Sequence, residues 1–449
     1  MSPLHCIPAT AGCSDGPALV REAGAIVLSK SNLAEWPLSP YETVSSILPG
    51  YIKNPYALDR VTAGSSGRTA TAVAASFGTV GLGTVTGNSS REPSAHQVIV
   101  GIRSTKGLTS RAGVIPLNSS ADIAGPMTRT VADAVAVFDV IAHSDPAGSV
   151  TAPADVRRAP SYSAFLVLGS LRGARIGMLR QAYERPTLDP EEQSMFERAI
   201  GDLRAQGAII IDDARVGSLQ ALQRPLQGGC NRFKFDLERY LAQGAPNALV
   251  KMLDEIVRSR RFYPTVALRL RDASEATEPP EQSAGCASRE AVRAALRVAV
   301  EQLMDVLSLD ALVYQTWRNS PRLIGDLDAP HGDNSQLFSP STGFPAITVP
   351  MGYTRDNTRP AGITFFGRAW SEGRLISRSY DCEQSTRHHR SPSLRQLPRY
   401  ARSAYCRDRA FGLRCGCTVD DFRCVPCAVD TGPEPFTHRC TALDANQQP

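Results

Sequence analysis

Residues 62–93 have the most informative pattern of apolar and polar positions in the chain. The pattern starts with a turn of small residues at 63–67, continues as an alanine-rich run typical of a buried helix, and then predicts a short apolar strand at 79–84. A second turn, rich in hydroxyl side chains, follows at 86–90. We therefore expect two serine-bearing turns at the ends of one helix and strand pair, which would bring two hydroxyl groups together.

Elsewhere the pattern predicts helices alternating with strands. The pattern at 17–28 predicts a short amphipathic helix followed by an apolar strand at 25–28. The spacing of apolar residues is least regular at 214–285. The other predicted elements are helices through 131–140, 191–206 and 288–307, and strands within 96–116 and at 175–179, 208–211 and 311–314. This alternation is typical of an α/β fold.

Composition narrows the class of protein. The chain has 449 residues, 42% of them hydrophobic, and a net charge of +5 that points to no acidic partner. Five lysines stand against 44 arginines, which leaves few candidates for lysine chemistry. No apolar run reaches the roughly 20 residues of a membrane helix, and the start lacks the pattern of a secretion signal. These features predict a cytoplasmic protein that does not bind membranes or nucleic acid.

The cysteines fall into two groups. Six of the 11 lie in the last 45 residues, and the other five are scattered singly. The scattered cysteines are interpreted as ordinary buried thiols. In the tail, the pairs Cys415/Cys417 and Cys424/Cys427 precede His438 and Cys440, so a small metal knuckle is one alternative. The other interpretations are a disordered tail or sequence translated beyond a mis-assigned exon.

The two serine turns resemble the motifs of the amidase signature family. The first turn is AGSSGR at 63–68, the second is GTVTGNSSREP at 83–93, and 24 residues separate Ser65 from Ser89, as in that family. Further similar segments extend from about residue 15 to about residue 390, and some are similar to fungal amidases and bacterial peptide amidases. The resemblance implies a single α/β domain with a central mixed β-sheet covered by helices, lacking its N-terminal elements.

The resemblance also implies an activity and the residues that carry it. Members of the family hydrolyse carboxamides through an acyl-serine intermediate and need no cofactor. Carried over to this sequence, Ser89 is the nucleophile and Ser65 is the relay, held by a cis peptide bond. The backbone N–H groups of Thr86, Gly87, Asn88 and Ser89 would bind the oxyanion, and Arg91 would be structural. The expected partner is a small-molecule amide.

The sequence departs from the family pattern at several positions. The lysine that serves as the base has no counterpart, because Lys30 and Lys53 align with other positions and the chain begins after the strand that carries it. Val85 stands in place of aspartate, and Arg68 and Asn88 stand in place of glycine. Two functions therefore remain open: an amidase, or a catalytically inactive amidase-like pseudoenzyme or binding protein.

Histidine is not expected to replace the lysine. His96 is interpreted as a surface or helix-start residue, and His331 as part of a solvated loop. The predicted organisation is an irregular leader at 1–16, the amidase-signature domain at 17–390, and an arginine- and cysteine-rich tail at 391–449 that is expected to be disordered.

Overall fold

In this computed structural model, the described residues are 15–38, 50–146, 148–222, 229–243, 248–326, 328–330, 332–393, 404–407 and 414–417. The chain divides into two compact units, Met1–Pro392 and Ser393–Pro449. The predicted leader and most of the predicted tail lie outside the described residues. Along the described part of the chain, no helix is long and apolar enough to cross a membrane.

An eight-stranded mixed sheet forms the centre of the first unit. Its strand order is β1-β3-β2-β7-β8-β6-β4-β5; β4 runs parallel to β5 and β6, and the other neighbours are antiparallel. The strands are β1 (Val80–Val85), β2 (Val100–Arg103), β3 (Ile123–Thr128), β4 (Arg175–Met178), β5 (Ile209–Ile211), β6 (Ala311–Gln315), β7 (Ala346–Thr354) and β8 (Arg359–Phe366), and the second unit has the antiparallel pair β9 (Ala404–Arg407) and β10 (Arg414–Cys417). The prediction of an α/β fold with a central mixed sheet is confirmed.

Fourteen α-helices are assigned within the described residues, and side-chain caps explain where two of the longer ones begin. The Thr130 hydroxyl accepts from the backbone N–H of Asp133 at the start of α4, and Asp189 caps α7 in the same way. The helices are α1 (Asp15–Glu22), α2 (Gly67–Ala74), α3 (Arg91–Ala95), α4 (Val131–Ile141), α5 (Ala154–Arg157), α6 (Arg180–Tyr183), α7 (Pro190–Ala205), α8 (Leu219–Leu222), α9 (Phe233–Gln243), α10 (Leu253–Ser259), α11 (Ala267–Ser274), α12 (Ala284–Val306), α13 (Ser339–Thr342) and α14 (Glu372–Thr386).

The main core lies around the two central strands. Every residue of β7 is buried, as is every residue of β8 after Arg359. Because successive side chains of a strand point to opposite faces, these strands must be covered on both faces. Helices α3, α7 and α14 contact β7, and the ring of Phe366 on β8 lies 6.2 Å from those of Phe338 and Phe344.

A second, smaller core, which we call the satellite cluster, joins α9, α10 and α11. Its buried apolar residues are Phe233, Leu237, Leu241, Leu253, Ile256, Val266, Leu270 and Ala273. The sequence pattern here is the least regular because these helices bury only short apolar stripes against one another. A disulfide between Cys230, just before α9, and Cys286 in α12 closes this segment. The prediction of ordinary thiols is therefore wrong for these two cysteines, whereas Cys382 is free and buried as expected.

The predicted strand at 25–28 is also wrong. The helix before it forms as α1, but residues 25–33 have no regular structure. Ile26, Val27 and Leu28 are 84%, 53% and 71% exposed. A strand requires a hydrogen-bonded neighbour, and the described sheet places β1 at its edge without pairing it to this segment.

Candidate active site

The first serine turn lies immediately before α2. The peptide bond between Gly64 and Ser65 is cis, and both Ser65 and Ser66 are fully buried. Among the described residues, none hydrogen-bonds to the Ser65 hydroxyl. A buried polar group without a partner costs about 1–3 kcal/mol, so its presence requires a reason, and proton transfer is a sufficient one.

The second serine turn connects the end of β1 to the start of α3. The backbone N–H of Ser66 donates to the carbonyl oxygen of Ser89 over 3.0 Å. The Ser66 hydroxyl lies 3.3 Å from both the N–H and the carbonyl oxygen of Thr84. The two turns are therefore adjacent, as the pattern at 62–93 predicts.

The backbone of the second turn presents free donors. Within the described part of the chain, the N–H groups of Gly87, Asn88 and Ser89 donate no hydrogen bond. Ser89 is 6% exposed, and its hydroxyl lies 3.5 Å from the Asn88 side-chain oxygen. A Cβ at Gly87 would lie 3.0 Å from the Gln336 side chain, so the chain passes closely there. Unpaired N–H groups beside a hydroxyl are what stabilisation of an oxyanion requires.

The Thr86 side chain, as distinct from its backbone N–H group, holds this turn in place. Its hydroxyl donates to the Asp122 carboxylate over 2.5 Å, and the same carboxylate accepts the backbone N–H groups of Leu117 and Asn118. Burial raises the pKa of Asp122 to about 6 despite these hydrogen bonds. Thr86 thus attaches the turn to the loop before β3.

Arg91 attaches the same turn to β6 and to the loop that follows it. Its guanidinium is fully buried and donates to the Tyr314 hydroxyl over 2.9 Å and to the carbonyl oxygens of Gly87 and Ser335 over 2.7 Å each. The substitution of the family's aspartate by Val85, which is itself buried, therefore does not leave Arg91 without partners.

Asn88 bridges two acidic side chains that the sequence analysis missed. Its amide nitrogen donates to the Glu92 carboxylate and, over 3.0 Å, to Asp333. Burial first, and then the Asp333 charge, raise the pKa of Glu92 well above its ordinary value. A carboxyl in the first turn of a short helix, one residue after the buried Arg91, was a visible signal for Glu92. Asp333 had none, because 245 residues separate it from Asn88.

No lysine of the described chain lies against the two serines. Among the described residues, the Ser65 hydroxyl has no hydrogen-bond partner and the Ser89 hydroxyl hydrogen-bonds to Asn88, while Lys30 and Lys53 are exposed. Burial first, then neighbouring arginines, lower the pKa of Lys106 to about 8, and no contact joins it to either serine.

The histidines do not supply a base either. His96 is 2% exposed and follows α3 at its C-terminal end, so its interpretation as a surface or helix-start residue is wrong. Its ring packs edge-on against Trp317, with 5.1 Å between centroids, and burial lowers its pKa to about 3. His331 lies outside the described residues. Within the described residues, no group of His, Cys, Asp and Glu side chains is suited to hold a metal ion.

Comparison with known proteins identifies the family. The Amidase family model matches residues 16–376. A probable amidase of Arabidopsis thaliana is 30% identical over 384 residues, covering 82% of this chain and 69% of that protein. A glutamyl-tRNA(Gln) amidotransferase subunit from Acinetobacter baumannii is 30% identical over 378 residues, covering 82% of this chain and 75% of that protein.

A solved structure shows the same similarity. The native peptide amidase from Stenotrophomonas maltophilia superimposes with a TM-score of 0.71 at 32% identity, covering 84% of this chain and 77% of that one. The family match includes both serine turns and the strands and helices that hold them. The chain therefore belongs to the amidase signature family.

Proposed function

We propose that the protein is an amidase that hydrolyses the C–N bond of a small-molecule carboxamide through an acyl-serine intermediate at Ser89. The observation that carries this proposal is the joining of the two serine turns, with the Ser65 hydroxyl buried and unpaired beside a turn whose N–H groups are free. Family membership supports the same chemistry.

The proposed reaction has two stages. The Ser89 oxygen attacks the carbonyl carbon, its proton passes to Ser65 as Ser65 gives its own proton to a base, and the N–H groups of the second turn bind the carbonyl oxygen as it becomes negative. The same base returns that proton to the leaving amine. The C–N bond then breaks, and the amine leaves with a proton. Water hydrolyses the resulting ester, which releases a carboxylate and restores the Ser89 hydroxyl.

The proton that Ser65 relays must reach a base. Whether such a base is present distinguishes two candidate functions. The lysine that the family uses has no counterpart in contact with Ser65 among the described residues. That observation favours a second candidate, an amidase-like binding protein that holds amides without turnover. Under this alternative the pocket would retain affinity for amides, and replacing Ser65 would not change that affinity.

A fluorophosphonate probe tests Ser89 as the nucleophile. The probe should label the wild-type chain covalently, whereas Ser89→Ala should remain unlabelled. Ser90→Ala is the matched control because Ser90 is the neighbouring buried serine. Equal labelling of wild type and Ser89→Ala would rule out Ser89.

Product formation then distinguishes the two candidates. An amidase should release amine from a small aryl amide, and Ser65→Ala should lower that rate by at least the roughly 10² typical of lost proton transfer. Amide binding without amine release, unchanged in Ser65→Ala, would instead support the binding protein.

The location predicted from the sequence stays a prediction. Disulfides are rare in the reducing cytosol, so the Cys230–Cys286 bond weighs against a cytoplasmic location. Thiol labelling of the freshly isolated protein under denaturing conditions would show whether the bond is present in the cell.

A further inference from the structure

A cavity separate from the serine turns lies at the far end of α3. Ser89 precedes the first turn of this helix, whereas His96, directly after its last residue, lines the cavity. The cavity has a volume of about 180 Å³. Since one water needs roughly 10–15 Å³ of such volume, a compact small molecule fits.

The cavity lining carries more positive than negative charge. The charged lining residues are four arginines and two aspartates: Arg60, Arg322, Arg355, Arg359, Asp189 and Asp326. Both aspartates are already engaged by the protein. Asp189 accepts from Arg355 and from the first N–H groups of α7, and Asp326 accepts the N–H groups of Asp328 and Ala329.

Arg359 is the cavity arginine that is best placed to bind an anion. It opens β8, beside the turn from β7, and its guanidinium makes no hydrogen bond or ion pair with a described residue. Burial and then the neighbouring charges of Arg60 and Arg355 lower its pKa, and the charges of Asp59 and Glu191 offset this only in part. A partly buried guanidinium among other cations is stabilised most directly by an anion.

Two aromatic rings, those of Trp317 and His96, also line the cavity. Trp317 is 8% exposed and packs edge-on against His96, whose low pKa keeps it neutral at ordinary pH. A Cβ at Gly332 would lie 2.0 Å from the indole nitrogen of Trp317, so the backbone presses on the indole and limits its movement. An arginine fork and an indole that line the same cavity suit an oxyanion attached to a small apolar group.

We propose that this cavity binds a small oxyanion, either a carboxylate or a phosphate group, with Arg359 as its main hydrogen-bond donor and Trp317 at its side. The proposal does not depend on Ser89 or on hydrolysis. It assigns a second binding site to the molecule, at the end of the sheet where β7 turns into β8.

Calorimetric titration of the full chain with benzoate and with inorganic phosphate, at constant ionic strength, tests the proposal. At least one anion should bind, and Arg359→Gln should weaken its binding about tenfold or more, the usual effect of losing a hydrogen bond to a charged group. Arg239→Gln is the matched control, because that half-exposed arginine pairs with Glu281 in the satellite cluster region. The Arg239→Gln variant should bind the anion with the same affinity as the wild type.

Two further variants locate the site. Ser89→Ala should bind the anion like the wild type, and Trp317→Phe should lose any change in tryptophan fluorescence on binding. The proposal is overturned if neither anion binds the wild type, if Arg359→Gln binds as the wild type does, or if Ser89→Ala abolishes binding.

Discussion

Asn88 shows how a single substitution in a motif can be compensated by its surroundings. The family has glycine here, and an asparagine side chain must find partners in a buried turn. It finds them in Glu92 and Asp333, two carboxyl groups that face each other at the start of α3 and in the loop after β6. The amide donates to both, which offsets part of their mutual repulsion.

We therefore predict that Asn88→Gly, which restores the family residue, destabilises this protein by about 1–3 kcal/mol, the cost of leaving buried acceptors without a donor. Adding Glu92→Gln should recover much of the loss, because a neutral amide needs no bridging donor and can itself donate to Asp333. Urea denaturation of the two single variants and the double variant measures the coupling. Strictly additive effects would contradict the bridging role.

Among the helices, strands and turns, the sequence predicts correctly those whose structure depends on their own side chains and not on a distant partner. The spacing of apolar residues alone predicts α4, because its apolar stripe packs against one neighbouring sheet. The turns of small residues likewise predict where the two serines lie. The prediction at 25–28 failed because a strand depends on a partner that the pattern of the segment does not contain. The Cys230–Cys286 bond was missed for a similar reason, since 56 residues separate its ends.

The disulfide should matter mainly for the satellite cluster. Closing a loop of 56 residues lowers the entropy of the unfolded chain by an amount worth about 4 kcal/mol at most. We predict that the double variant Cys230→Ser/Cys286→Ser loses roughly 2–4 kcal/mol of local stability in α9, α10 and α11. Hydrogen exchange followed by mass spectrometry should show faster exchange there and unchanged exchange in β7 and β8.

Cys382→Ser provides the contrast, because this free cysteine is buried in α14 against the main core. It should loosen α14 and leave the satellite cluster unchanged. If both variants accelerate exchange evenly through the first unit, the satellite cluster is not a separately stable element.

For the whole molecule, buried carboxyl groups set the dependence of stability on pH. Burial raises the pKa of Asp122 to about 6, of Glu383 to about 7 and of Glu192 to about 8. The folded state thus holds these protons more tightly than the unfolded chain does. Their contribution to stability is complete below the unfolded pKa of about 4–4.5 and is lost as the pH rises through each folded value.

Histidines in buried or half-buried positions have the opposite effect over part of this range. Burial lowers the pKa of His96, His388 and His389 below 6.5, so the unfolded chain binds more protons than the folded state and stability rises with pH until about 6.5. The two effects oppose each other below pH 6.5. Above pH 6.5, Glu383 and Glu192 are the two of these groups that still release protons when the protein unfolds.

We therefore predict that the free energy of unfolding decreases between about pH 6.5 and pH 8, by at most about 1.4 kcal/mol per pH unit for each proton involved. Glu192→Gln should reduce this slope, because the amide can keep the acceptor role toward Thr354 and Ser320 without ionising. Urea denaturation at three pH values measures the slope, and Glu278→Gln, at an exposed position, should leave it unchanged. Lys106, whose pKa burial lowers to about 8, opposes this slope only near the upper end of the interval. A wild-type stability that stays level or rises over the lower half of the interval would contradict the role of Glu192 and Glu383.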